Sequence, residues 1–199
     1  MGLRWCLCLV ASSLLFGGCA VSVGGEAVPG ESIESPSAPM SARPLPFTPE
    51  FSGRTNDRND GTSFEPCTAY SDDEMRALGA DPGTLKDAAI SVSPNFRGCW
   101  WQSPDRVAFF SQTLGNEKSL DIYKVKQSYR PWQPDRIING RRVIVTTERD
   151  TGCFASFMSE DAIVHSSYRI GSAGKPSAGL VAECNKAIEW ATLAISKAP

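Results

Sequence analysis

Only one histidine, His165, occurs in the 199 residues, so a His-centred triad would have to be built around that single ring, with nucleophile and acid supplied by the fold. The chain also lacks a Gly-x-Ser-x-Gly elbow, a His-Glu-x-x-His helix and a Gly-rich phosphate loop at a strand–helix junction. No catalytic residue is therefore assigned, and the expectation is a protein that is not an enzyme. No two cysteines stand in the close C-x-x-C spacing of structural zinc sites, so neither a metal nor another cofactor is expected. Charge of one sign is not in excess either. Twenty Lys and Arg face 22 Asp and Glu, which gives no general case for a nucleic-acid partner. Long apolar runs are missing as well: Trp5 to Phe16 is an apolar stretch of about twelve residues, whereas a membrane-crossing helix needs about 20.

That short run ends in Gly17-Gly18-Cys19. Small residues directly before a cysteine, after a basic start at Arg4 and an apolar core, read as a lipoprotein signal peptide over 1–18. Cys19 becomes the first mature residue and the lipidation site. The expected location is the cell membrane, lipid-anchored on the extracytoplasmic face, with the membrane itself a partner through that lipid.

Cysteine number supports an exported chain. Of seven cysteines, Cys6 and Cys8 leave with the signal and Cys19 takes the lipid, so Cys67, Cys99, Cys153 and Cys184 remain. An even set in an exported protein implies two disulfides. The pairing Cys67–Cys99 and Cys153–Cys184 is expected, because each bond then joins neighbouring units, the approach to a helix with a strand and a strand with the last helix. Loop entropy scarcely decides the matter, since alternative pairings differ by only about 1 kcal/mol.

Three segments follow from composition: the signal at 1–18, the lipidated cysteine with a Pro/Ser/Gly-rich tether at 19–63, and a folded domain at 64–199. Residues 20–63 hold six Pro, five Gly and seven Ser, too little apolar surface to offset the entropy of ordering. A coil of that length would span on the order of 35–40 Å.

Within the domain, Ser71-Asp72-Asp73-Glu74 predicts a capping box, with Met75 and Leu78 on one face and Gly79 as the stop. Asp81-Pro82-Gly83 then reads as a turn. Alternation predicts strands over 88–93, 97–103 and 106–114, with Trp100 and Trp101 on opposite faces. Residues 119–127 carry both periods and are read as helix. Asn139-Gly140 predicts a type I′ hairpin, and a second hairpin turns at Glu160-Asp161. Residues 171–179 are read as loop, followed by a helix to Lys197 with Leu180, Cys184, Ile188, Ala191 and Ile195 on one face. The class is α+β: an antiparallel sheet of about six strands, with a short N-terminal helix and a C-terminal helix packed on it.

The most uneven charge lies over 118–142, where Lys118, Lys124, Lys126, Arg130, Arg136, Arg141 and Arg142 face only Asp121 and Asp135. Tyr129, Arg130, Trp132, Arg136, Arg141 and Arg142 are accordingly the candidate binding residues, for an envelope protein, an acidic glycan or a lipid headgroup. The competing reading is a solvated edge whose cations block edge-to-edge pairing, with Trp132 folded back as a lid.

Taken together, Pro66-Cys67, Cys99-Trp100-Trp101, Gly140, Cys153 and Cys184, in this order and spacing over roughly 64–199, resemble the actinobacterial lipoproteins of domain-of-unknown-function family 3558. The resemblance implies an extracytoplasmic, disulfide-stapled α+β domain. It supplies no activity. Function is expected to be that of a non-enzymatic binding or interaction module, with an envelope hydrolase, a small-ligand binder and a structural spacer as the alternatives.

Overall fold

The computed structural model describes residues 43–147, 152–171 and 179–199. The signal segment, Cys19 and residues 172–178 of the expected loop lie outside the described residues.

Helix α1, Asp72–Leu78, forms where its end signals are strongest. The Ser71 side chain accepts from the Glu74 N–H, the Glu74 carboxylate accepts from the Ser71 N–H, and Gly79 stops the helix at φ 91°. Both ends are thereby satisfied. Two antiparallel meanders follow. The first comprises β1 (Asp81–Asp87), β2 (Arg97–Gln102) and β3 (Ala108–Asn116). After α2 (Leu120–Lys126) the second comprises β4 (Arg136–Ile138), β5 (Arg141–Thr147), β6 (Gly152–Ser159) and β7 (Ala162–Ile170), and α3 (Leu180–Ile195) ends the chain of elements. The order β1-β2-β3-β7-β6-β5-β4 makes one seven-stranded sheet. Its two halves meet where β3 pairs with β7, from Ala108 opposite Ile170 to Asn116 opposite Ala162.

The class is α+β, with one strand more than expected. The Asn139-Gly140 turn has positive φ at both residues, 48° and 78°, as a type I′ turn requires. Both disulfides, Cys67–Cys99 and Cys153–Cys184, join the expected partners.

The first strand is misplaced by the sequence reading. Residues 88–93 form a tight turn in which only Ile90 and Ser93 bridge, while β1 runs through Asp81-Pro82-Gly83 instead. This is possible because β1 is an edge. Its register slips between Asp81 and Lys86, the Asp81 carboxylate accepts from the Gly83 N–H, and proline at an edge removes no ladder bond that the sheet needs.

The boundary at 63 also needs correction. Leu45 and Phe47 pack against the core beside Trp101 and Met75, and Arg54, Asn59 and Thr62 are buried. Ionic contacts hold this strap as well as apolar ones. Arg54 donates to both Glu65 oxygens, at 3.0 and 2.9 Å, and to Asp87 at 3.1 Å. Arg97 donates to Glu65 at 3.3 Å and to the carbonyls of Asn59, Thr62 and Phe64 at 2.7–3.0 Å. Two guanidinium groups and two carboxylates thus neutralise one another. The strap then crosses the end of the β3–β7 seam, where the Asn116 N–H donates to Arg58 and the Asp161 N–H donates to Gly61.

One face of the sheet is covered by α3. Its buried residues are Glu183, Cys184, Ala187, Trp190, Ala191, Ala194 and Ile195, a stripe rotated from the expected face so that Leu180 is partly exposed and Ile188 half-buried. Small residues at 187, 191 and 194 let the helix approach Val143, Val145, Ala155, Phe157 and Val164 closely. Trp190 fills the adjoining cluster with Trp101, Phe110 and Met75. The opposite face carries α2, with Leu120 on Ile144 and Ile163.

Candidate functional site

The basic loop expected to make contacts is largely occupied with itself. Arg142 bonds Asp121 through both terminal nitrogens at 3.0 and 2.7 Å, and Asp135 at 2.7 Å. The hydrogen bond from Arg142 holds the Asp121 carboxyl below its ordinary value. Lys124 pairs with Asp135 at 2.9 Å and Lys126 with Glu117 at 2.8 Å. Arg141 donates to the carbonyls of Ala198 and Pro199 at 2.9 and 2.7 Å. Arg130 lies over the Tyr129 and Phe154 rings. Tyr129 is exposed, and Arg136 is exposed on the short edge strand β4.

Trp132 is half-buried and takes the lid arrangement. Its ring packs against the Leu120, Ile144 and Ile163 cluster and meets Tyr123 edge-on at 6.1 Å. Its indole N–H donates to the Gln127 carbonyl at 3.2 Å. The backbone on either side is tied to β5, since Thr146 donates to the Pro131 carbonyl at 3.0 Å and the Gln133 N–H to Val145 at 2.9 Å. Trp132→Ala combined with Arg130→Ala should accordingly lower stability by roughly 2 kcal/mol, about half the usual loss for a fully buried Trp. An unchanged urea midpoint would show that the indole is not part of the core.

Against Tyr123 of α2 lies the half-buried His165. Its Nδ1 is 2.8 Å from Ser156 Oγ, and its ring stacks on Tyr123 at 4.8 Å. Desolvation beneath α2, with the Arg130 charge nearby, brings its pKa down to about 4. The neutral ring completes a polar seat for α2. Among the described residues no three His, Cys, Asp or Glu side chains gather as a metal site would.

Beyond the reach of α2, the same face changes character. Cys99 and Trp101 point toward α3, so pleating turns Trp100 the other way. Opposite Trp100 on β3 stands Ser111, and Phe109 and Thr113 project to the same side. Trp100 and Phe109 lie 6.1 Å apart with their planes at 47°. Lys86 Nζ sits 5.4 Å from the Trp100 ring centre and Arg169 Cζ 4.5 Å from that of Phe109. Trp100, Phe109, Ser111, Thr113 and Arg169 line a shallow depression of about 380 Å³ with Ile90 and Phe96 from the 88–96 turn. No carboxylate lines it, and neither Lys86 nor Arg169 joins an ion pair among the described residues.

The apolar rim is conspicuously bare: Ile90 is 49 %, Val92 83 % and Phe96 52 % exposed. A larger depression of about 610 Å³ beside α2 is lined by Asn116, Glu117, Lys118, Ile122, Lys126 and Asp161; two carboxylates enter it, and the Glu117–Lys126 pair neutralises part of its charge. The shelf of Trp100 and Phe109 is thus the strongest candidate for contact. The sequence reading places Trp100 and Trp101 on opposite faces of the strand without singling out Trp100 as a contact residue. Alternation shows that Trp100 faces away from Trp101, but not that the covering helix on that side stops short.

No described helix is long and apolar enough to cross a membrane. No curated protein and no solved structure matches this chain. One family does match, over residues 14–197, nearly the full length: the chain belongs to the family described as Protein of unknown function (DUF3558).

Proposed function

We propose that the chain is a cell-envelope lipoprotein, anchored through Cys19 on the extracytoplasmic face, whose folded domain is a non-catalytic interaction module for an envelope component or a protein partner. The observation that carries the contact is the shelf, a half-buried aromatic pair beside the exposed Ile90, Val92 and Phe96, with a cation over each ring. Contiguous apolar surface of this kind costs solubility and marks sites of association. The anchor is supported by the Gly17-Gly18-Cys19 signature and by the resemblance to actinobacterial lipoproteins. Two disulfides suit an oxidising compartment outside the cytoplasm.

The test compares wild type, Cys19→Ser and the double variant Val92→Ser/Phe96→Ser in the native envelope. After a high-salt wash the Cys19→Ser protein should leave the membrane fraction, because acylation is needed for stable anchoring; retention equal to wild type refutes the anchor. Chemical crosslinking followed by mass spectrometry should recover an envelope lipid or protein with wild type that is lost with the double variant. Identical crosslinked sets from the two would refute the shelf as the contact surface.

A further inference from the structure

The rim of the shelf ends in a turn with an unusual tip. Ile90 and Ser93 exchange both backbone hydrogen bonds, at 3.2 and 2.8 Å, so Ser91 and Val92 form the apex of a closed two-residue turn. Val92 is the most exposed large apolar residue described. The turn is held before any partner arrives, so binding need not order it. A deformable medium closes around such an exposed tip without needing a matching pocket.

Resting on the interaction surface proposed above, we propose that its occupant is an anionic bilayer: the Ser91-Val92 turn and Phe96 enter the boundary between headgroups and acyl chains, and Lys86 and Arg169 meet lipid phosphates. Three features carry the assignment. The apolar tip is exposed and preformed. No carboxylate lines the depression, and Lys86 and Arg169 each sit over an aromatic ring, a pairing of basic and aromatic groups that suits a membrane interface. The chain available to separate domain from anchor is also short. Because Leu45 is already packed on the domain, only residues 20–44 separate it from the anchor proposed at Cys19, and a chain of that length, were it a coil, would span about 25–30 Å. The radius of a domain this size is of the same order. A tether so short keeps the domain at high effective concentration beside the bilayer, so that even a weak insertion is populated.

The experiment uses the unlipidated mature chain, residues 19–199 with Cys19→Ser, so that neither the acyl anchor nor the apolar signal contributes, with vesicles of phosphatidylcholine alone or mixed with phosphatidylglycerol. Co-sedimentation should occur with the mixed vesicles and weaken as sodium chloride is raised. Adding Val92→Ser and Phe96→Ser should reduce partitioning by about tenfold or more. Lys86→Ala or Arg169→Ala should each reduce it by about fivefold. Val92→Ser alone, at the exposed apex, is the variant to use if the double change lowers the thermal midpoint. Absence of binding to the mixed vesicles, or partitioning that Val92→Ser leaves unchanged, overturns the lipid assignment. If the vesicles fail but Val92→Ser/Phe96→Ser still loses a protein in the native-envelope crosslinking, the occupant is that protein and the interaction reading survives. If both fail, both proposals fall.

Discussion

Replacing Glu65 with alanine should destabilise the domain by about 3–5 kcal/mol, the usual loss when one partner is removed from a buried charge cluster. The reason is the position of this carboxylate between Arg54 and Arg97. Without it the two guanidinium groups remain buried with Asp87 as their only carboxylate partner. Arg97 would still hold the strap carbonyls of Asn59, Thr62 and Phe64, but uncompensated charge would favour releasing them to water. Amide hydrogen exchange over 54–64 should therefore accelerate more than exchange in β6. The pH dependence has a definite sign. Burial raises the Glu65 carboxyl, but hydrogen bonding and charge attraction from Arg54 outweigh it, and the net shift is downward. A depressed carboxyl contributes stability that is complete above its unfolded value and is lost as pH falls through the folded one. Wild type should accordingly lose stability in acid below the ordinary glutamate range, and Glu65→Ala should lose less over that same window. Equal acid dependence in the two proteins would mean that the cluster contributes nothing net.

Trp190→Ala is expected to act as strongly, by a different route. The indole is fully buried and meets Tyr70, Trp101 and Phe110 at ring separations of 4.7, 5.4 and 6.5 Å, while its N–H donates to the Ser111 carbonyl at 3.1 Å. The residue ties α3 to the β2–β3 half of the sheet, whereas the Cys153–Cys184 bond ties α3 to the other half. Truncation leaves a cavity among rings that cannot collapse without leaving their rotamers, at a cost of about 3–5 kcal/mol. For a domain of this size the thermal midpoint should fall by roughly 10 °C. Trp190→Phe, which keeps most of the ring volume, should recover more than half of the loss; a phenylalanine variant as unstable as the alanine one would assign the effect to the indole hydrogen bond instead.

What the sequence discloses about this fold is what short-range physics controls. The Ser71–Glu74 box, the Asn139-Gly140 turn and the alternation through Cys99-Trp100-Trp101 each depend on neighbours within a few residues, and each is found as expected. The strap is invisible for the opposite reason. Its order comes from Arg54 and Arg97 reaching Glu65 and Asp87, separations of 11 to 33 residues, while its composition resembles that of an unstructured linker. Trp132 misleads similarly. Local composition places an aromatic ring among cations, but it does not show that Asp121 and Asp135 of the same stretch both fold onto Arg142, or that α2 builds the seat for the indole. The shelf was half legible: alternation separates Trp100 from Trp101, and only the extent of α2 shows which of the two is left uncovered.

The order of the disulfides has a consequence for biosynthesis. Cys67 bonds Cys99 within the first meander, and Cys153 bonds Cys184 between the second meander and α3, so every described cysteine pairs with the next one along the chain. In a polypeptide delivered N-terminus first into an oxidising compartment, each thiol then meets its native partner before any later competitor has emerged. An oxidase that joins cysteines in order of appearance suffices for such a chain, and a disulfide isomerase has nothing to correct.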